Sequence, residues 1–127
     1  MAEMISTPLA LVVDDELTIR ELVAEILTKL GFQALAIAEP EAVVELAAAH
    51  RPTVILLDIV MRGLDGYAVA TRLRGDPRTE KIPIIFITGQ DAPIYRTLSF
   101  GVGAVAHLQK PFTMTTLRDA LGQALEE

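Results

Sequence analysis

Residues 9–16 read LALVVDDE, a short apolar run that ends in three consecutive acids. The apolar part has the length of a buried strand, and Asp14, Asp15 and Glu16 place three negative charges at its carboxyl end. Two unit charges about 5 Å apart repel by roughly 3 kcal/mol at an effective dielectric constant of 20. Such a cluster persists only where something compensates it, and a bound cation is the simplest compensation.

Four further apolar runs follow, and segments of helical period separate them. The five predicted strands are LALVV (9–13), QALAI (33–37), TVILL (53–57), PIIFI (83–87) and AVAHL (104–108). Strands that alternate with helices predict a parallel sheet covered on both faces, which is an α/β fold. No repeat or linker interrupts the alternation, so residues 1–127 are predicted to form one domain.

The helices are predicted from their apolar period and their end signals. Their spans are about 16–30, 40–50, 65–74 and 92–100, with a fifth helix after Thr113 as its N-cap. The first helix is expected to end at Gly31 and to bury Ile19, Val23, Ile26 and Leu30. The fifth helix is expected to bury Met114, Leu117, Leu121 and Leu125.

Composition restricts the function classes. The net charge of −6 and the scattered Lys and Arg residues argue against nucleic-acid binding. Charged residues interrupt every apolar run before the roughly 18 residues that span a bilayer, and no signal peptide begins the chain, so a soluble cytoplasmic protein is predicted. With no cysteine, a metal ion would have to be bound by oxygen atoms or by the two histidines.

Polar side chains follow four of the five predicted strands. They are Asp14 and Asp15 after the first strand, Asp58 after the third, Thr88 after the fourth and Lys110 after the fifth. Because the carboxyl ends of parallel strands meet at one edge, three carboxylates, a hydroxyl and an ammonium are expected to share one rim. Hard oxygen ligands of this kind suit Mg²⁺, and the lysine and threonine suit an anion opposite it.

Four motifs carry a resemblance to a known family. They are VVDDE (12–16), VILLDIVMRGLDGY (54–67), PIIFITG (83–89) and HLQKPF (107–112). In this order and spacing the sequence is similar to the receiver domain of two-component response regulators, of the chemotaxis-regulator type. The resemblance implies a flavodoxin-like fold with strand order 2-1-3-4-5. It also implies phosphoryl transfer from a phosphohistidine, on a sensor histidine kinase or a phosphotransfer protein, to Asp58.

The resemblance also assigns roles to single residues. Asp14, Asp15, Asp58 and the main-chain carbonyl of Val60 would hold Mg²⁺, or alternatively Mn²⁺. Lys110 would pair with Asp58 and then with the phosphoryl oxygens, and its bond to the following proline would be cis.

Thr88 and His107 would be the switch residues, and His107 stands where the family commonly has Tyr or Phe. The output face would be built from the fourth helix, the fifth strand and the fifth helix, for a downstream protein or a second copy. No enzymatic role is implied beyond phosphorylation and dephosphorylation of the domain itself.

Further departures from the family are Arg62, Gly89 and Gly101, of which Gly89 keeps access to Asp58 open. Val60 and Gln90 would flank the path of the water that hydrolyses the phosphorylated state.

Two other functions compete with this interpretation. A phosphohydrolase with an aspartyl-phosphate intermediate usually has two aspartates with one residue between them after its first strand, a pattern that DDE lacks. A degenerate receiver that acts only through protein contacts would typically have lost the acceptor, a metal-binding acid or the lysine.

Overall fold

The computed structural model describes residues 7–61, 63–89 and 106–125. The elements in this part of the chain are β1 (Leu9–Val13), α1 (Leu17–Lys29), β2 (Gln33–Ile37), a 3-10 turn (Pro40–Ala42), α2 (Val43–His50), β3 (Val54–Asp58), α3 (Gly66–Arg74), β4 (Ile84–Thr88), β5 (Ala106–Gln109) and α4 (Met114–Leu125). The predicted fifth helix is thus α4. The helix predicted over 92–100 lies outside the described residues, as do Arg62, Gln90 and Gly101.

The five strands form one sheet in the order β2-β1-β3-β4-β5, and every neighbouring pair is parallel. This confirms the predicted flavodoxin-like topology. Successive residues of a strand point to opposite faces, so the sheet supports two apolar clusters. Ala10 and Val12 belong to the cluster that includes α1 and α4, whereas Leu11 and Val13 belong to the cluster that includes α2 and α3. Burial on both faces explains the nearly continuous apolar strands.

The first helix follows its predicted stripe. Val23 and Ile26 are buried together with Leu27, and Ile19 and Leu30 pack against them at the edge. Gly31 follows the helix with a φ of +94°, a conformation that a residue with a Cβ adopts at a cost. The predicted stop at Gly31 is confirmed.

Several expectations need correction. Met114 is 38% exposed, because the buried stripe of α4 runs through Leu117, Ala120, Leu121 and Ala124. Phe112, which precedes the helix, joins the same core cluster as Leu117. The helix predicted over 40–50 begins as a 3-10 turn and becomes α-helical only at Val43.

The third and fourth strands each end one residue later than predicted. Asp58 is the last residue of β3 and pairs with Ile87, and Thr88 is the last residue of β4 and pairs with Gln109. The backbones of two predicted site residues are therefore fixed by the sheet. Among the described residues, no helix has the length and apolar character needed to cross a membrane.

Candidate functional site

A cleft of about 480 Å³ lies at the carboxyl ends of the strands. Its lining consists of Asp15, Glu16, Asp58, Val60, Gly89 and Lys110. The loops after β1, β3, β4 and β5 thus converge at the rim where the sequence predicts a site.

Two carboxylate side chains in this region are buried. Asp14 is 0% and Asp58 3% exposed. The amide of Asp14 donates to the carbonyl of Ile37 at 3.2 Å, which extends the pairing of β1 beyond its last residue. One carboxylate oxygen of Asp14 accepts the amide of Glu16 at 2.9 Å, and one of Asp58 accepts the amide of Val60 at 3.3 Å. These bonds satisfy only part of the hydrogen-bonding capacity of two buried acids.

Lys110, the residue directly after β5, faces the acids. Its Nζ lies 3.1 Å from Glu16 Oε1, 3.3 Å from Asp14 Oδ2 and 3.5 Å from Asp58 Oδ2. The amide of Lys110 donates to the carbonyl of Thr88 at 2.7 Å, which ties the start of the loop to β4. The peptide bond from Lys110 to Pro111 is cis, as the resemblance implies.

The single positive charge of Lys110 does not neutralise the carboxylates of the cleft. Burial raises the pKa of Asp58 to about 7, and the negative charge of Asp14 adds to the rise, against the opposing effects of Lys110 and the Val60 amide. Burial likewise raises the pKa of Asp14 above its usual value, although the Glu16 amide and Lys110 oppose it. The pKa of Lys110 is raised, since the hydrogen bond to Glu16 and the charges of Asp58 and Asp14 outweigh its burial. The cleft therefore has a deficit of positive charge.

The donor set fits a hard divalent cation. Asp14, Glu16 and Asp58 each offer one carboxylate oxygen, and these oxygens lie within 4.8 Å of one another. Asp14 Oδ2 is buried and, although Lys110 Nζ lies 3.3 Å away, it accepts no hydrogen bond of suitable geometry from the described residues. A buried carboxylate oxygen with spare acceptor capacity beside two further carboxylates is a suitable ligand for Mg²⁺. Asp15 lines the cleft but is not part of this group of three, whereas Glu16, which sequence reasoning left out, belongs to it.

Comparison with known proteins identifies the family of this chain. The family described as the response regulator receiver domain matches residues 10–122, nearly the whole chain. This chain belongs to that family. It is therefore a receiver domain of two-component signalling, and the resemblance noted in the sequence is confirmed.

Individual relatives give the same assignment. The chain is 34% identical to the phosphate regulon transcriptional regulatory protein PhoB of Pseudomonas aeruginosa over 81% of its length, and 38% identical to the response regulator PleD of Caulobacter vibrioides over 80%. It spans only 45% and 22% of those two proteins. The chemotaxis protein CheY4 of Vibrio cholerae superposes with a TM-score of 0.89 at 28% identity, covering 94% of this chain and 100% of CheY4.

A glycine packs against the backbone of Asp58 in this receiver domain. A Cβ on Gly66 would lie 2.4 Å from the carbonyl oxygen of Asp58 and 2.8 Å from Ile59 Cα. The amide of Gly66 donates to the carbonyl of Ile59 at 2.8 Å. The start of α3 thus packs directly on the backbone of Asp58, which only glycine permits. Sequence reasoning did not single out Gly66, although it lies within the VILLDIVMRGLDGY motif.

The two predicted switch residues lie at different depths. Thr88 is 2% exposed at the end of β4, and the position of a Cβ on the next residue, Gly89, is open space. His107 is partly buried on β5, with its ring edge-to-face on Phe86 at 6.2 Å between centroids. The ring of Phe86 also meets that of Tyr67 at 5.2 Å. The histidine therefore contacts Phe86, one ring of an aromatic pair on the face of the sheet that α3 covers.

Proposed function

We propose that this receiver domain, spanning residues 1–127, accepts a phosphoryl group on Asp58. The donor is a phosphohistidine on a sensor histidine kinase or a histidine phosphotransfer protein. The observation that carries the proposal is a buried Asp58 carboxylate that lines an open cleft, with Lys110 at 3.5 Å. Its family membership supports the same assignment.

The reaction is a displacement at phosphorus. An oxygen of Asp58 forms a bond to phosphorus as the phosphorus–nitrogen bond of the donor breaks, and the imidazole leaves with the electron pair. Lys110 and the hydroxyl of Thr88 stabilise the charge on the phosphoryl oxygens. Asp14, Asp15, Asp58 and the Val60 carbonyl would hold Mg²⁺ or Mn²⁺, which would supply positive charge to offset the acids and the incoming phosphoryl group.

The function is signalling rather than turnover of a substrate. The domain catalyses only its own phosphorylation and dephosphorylation, and Thr88 and His107 couple the state of Asp58 to an output face. This face comprises the helix predicted over 92–100, β5 and α4, and it binds a downstream protein or a second copy of the domain. A cytoplasmic location stays a prediction.

The experiment is incubation with acetyl phosphate and Mg²⁺, read by intact-protein mass spectrometry. The wild type should gain one phosphoryl group and Asp58→Asn none. Asp65→Asn is the matched control, because Asp65 is an exposed N-cap whose side chain accepts the amide of Ala68 at 2.9 Å. Rapid, continuous release of phosphate would favour a phosphohydrolase. Absence of any adduct would favour an interaction module without phosphoryl chemistry.

A further inference from the structure

Among the described residues, Glu16 makes the shortest ion pair with Lys110. The proposed phosphoryl transfer assigns it no role, although its carboxylate belongs to the acid cluster of the cleft. Glu16 Oε1 accepts a hydrogen bond from Lys110 Nζ at 3.1 Å. The same ammonium stays 3.5 Å from Asp58, whereas a charge-assisted hydrogen bond is normally about 2.8 Å long. Glu16 therefore competes with the phosphoacceptor for the ammonium that lines the cleft.

The local structure directs the Glu16 side chain toward the cleft. Glu16 occupies the N-cap position of α1 with an extended backbone, and its side chain makes no capping hydrogen bond. Residues at this position usually turn a side-chain oxygen back to the helix amides. The amide of Glu16 donates to Asp14 Oδ1 at 2.9 Å, which fixes its backbone and leaves the side chain free to change partners.

The three acidic partners that Lys110 has among the described residues differ in how easily they can release it. The side chain of Glu16 is 62% exposed, whereas those of Asp14 and Asp58 are 0% and 4% exposed. An exposed carboxylate regains water when its ion pair breaks, and such pairs contribute little stability. The two buried aspartates lie at the ends of β1 and β3 and cannot turn into solvent. Of these partners, Glu16 can break its ion pair with Lys110 at the lowest cost.

We propose that Glu16 is a latch on Lys110, holding the ammonium short of Asp58 before phosphorylation and releasing it to the phosphoryl group afterwards. The inference rests on the proposed function. A phosphoryl group adds about 1.5–2 negative charges and three acceptor oxygens, so it is a stronger partner than one exposed carboxylate. Glu16 is thus a positioning residue that sets how readily Lys110 becomes available.

NMR of the lysine ammonium nitrogens tests the contact in Glu16→Gln. Glu21→Gln is the control, because it removes the same charge from an exposed position on α1. In metal-free protein the Lys110 resonance, assigned with Lys110→Arg, should shift in Glu16→Gln and stay in place in the control. With Mg²⁺ and the phosphoryl mimic beryllofluoride, the difference should fall to the level of the control. No shift in the metal-free state, or a shift that persists with the mimic, would overturn the latch.

The rate of phosphorylation by acetyl phosphate gives the second measurement, at saturating Mg²⁺. The oxygen of Asp58 displaces acetate from phosphorus in this reaction. Glu16→Gln should react about two- to fivefold faster than wild type, the rate equivalent of an exposed ion pair. Glu16→Ala should behave alike, and Glu21→Gln should match wild type. Equal rates in all variants would refute the latch alone, whereas failure of every protein to take up phosphate would refute the proposed function.

Discussion

At the scale of single residues, Asp58 carries an electrostatic cost in the metal-free protein. Its folded-state pKa of about 7 exceeds the ordinary value of 3.8. A carboxyl whose pKa is raised by folding favours the folded state below pH 4, and this contribution is lost as the pH rises through 7. We therefore expect the wild type to lose stability between pH 5 and pH 8 in EDTA.

Asp58→Asn should remove this loss because it removes the titrating group. Relative to wild type, the variant should gain about 3 kcal/mol more stability at pH 8 than at pH 5, given 1.36 kcal/mol per pKa unit. Urea unfolding at both pH values measures the difference. Asp119→Asn, on an exposed position of α4, controls for net charge. If Asp58→Asn changed the free energy of unfolding equally at both pH values, the raised pKa of Asp58 would be contradicted.

Gly66 offers a steric test of the acceptor backbone. Gly66→Ala forces a Cβ against the Asp58 carbonyl oxygen, so it should destabilise the fold by about 1–3 kcal/mol and slow phosphorylation. Gly122→Ala is the matched control, because a Cβ there meets nothing within 4 Å inside α4. That control should stabilise the protein by about 0.5–1 kcal/mol. Denaturant unfolding gives both values, and equal effects at the two positions would contradict the close packing of α3 on β3.

Val60 should govern the lifetime of the phosphorylated state. Its side chain is 64% exposed in the lining of the cleft and cannot orient a water molecule. Val60→Asn should accelerate hydrolysis by about two- to tenfold, the effect of one hydrogen bond in the transition state. The decay of the phosphorylated form measures this rate. No acceleration in a folded variant would remove Val60 from the path of the water.

At the scale of elements, β5 places the ring of His107 against Phe86, which also contacts Tyr67. Imidazole is smaller than phenol and ionises near neutral pH, so we expect weak, acid-sensitive coupling between Asp58 and the output face. His107→Tyr should strengthen the response of β5 and α4 to beryllofluoride and make it equal at pH 5.5 and 7.5. NMR shifts of residues 106–125 measure the response. If beryllofluoride left the NMR shifts of β5 and α4 unchanged at both pH values, the proposed role of His107 as a switch would be contradicted.

The positions of the strands were predicted better than the residues at which they end. Their apolar runs are continuous because both faces of the sheet are covered, which is why β1 and β2 match the predicted bounds. Asp58 and Thr88 extend their strands because sheet pairing holds the backbone despite the polar side chain. Ala106, in β5 of the proposed output face, is only 3% exposed, because it packs in the core cluster that includes α4.

Most members of the candidate site were predictable from sequence, but Glu16 was left out and the pairing of the side chains was not predicted. Parallel strands bring their carboxyl ends together, so Asp14, Asp58 and Lys110 could be placed at one rim from sequence. Sequence does not give the direction of a side chain at a strand end. The hydrogen bond of Glu16 to Lys110 and the close packing of Gly66 therefore appear only in the structure.

At the scale of the whole molecule, a cation that binds only the folded state must stabilise it. Mg²⁺ at ten times its dissociation constant should add about 1.4 kcal/mol and raise the melting temperature by about 3–6 °C. Asp14→Asn should lose most of this response. Thermal unfolding at constant ionic strength measures the shift, and an unchanged melting temperature up to millimolar Mg²⁺ would contradict the metal site.

The central claim is that Asp58 carries the phosphoryl group, and chemical trapping tests it most directly. Borohydride reduces an aspartyl phosphate to homoserine, so protein phosphorylated in Mg²⁺ and then reduced should contain homoserine at position 58 by peptide mass spectrometry. The account predicts that the modification is confined to this position and absent when Mg²⁺ is replaced by EDTA. Homoserine at another aspartate, with position 58 unmodified, would contradict it.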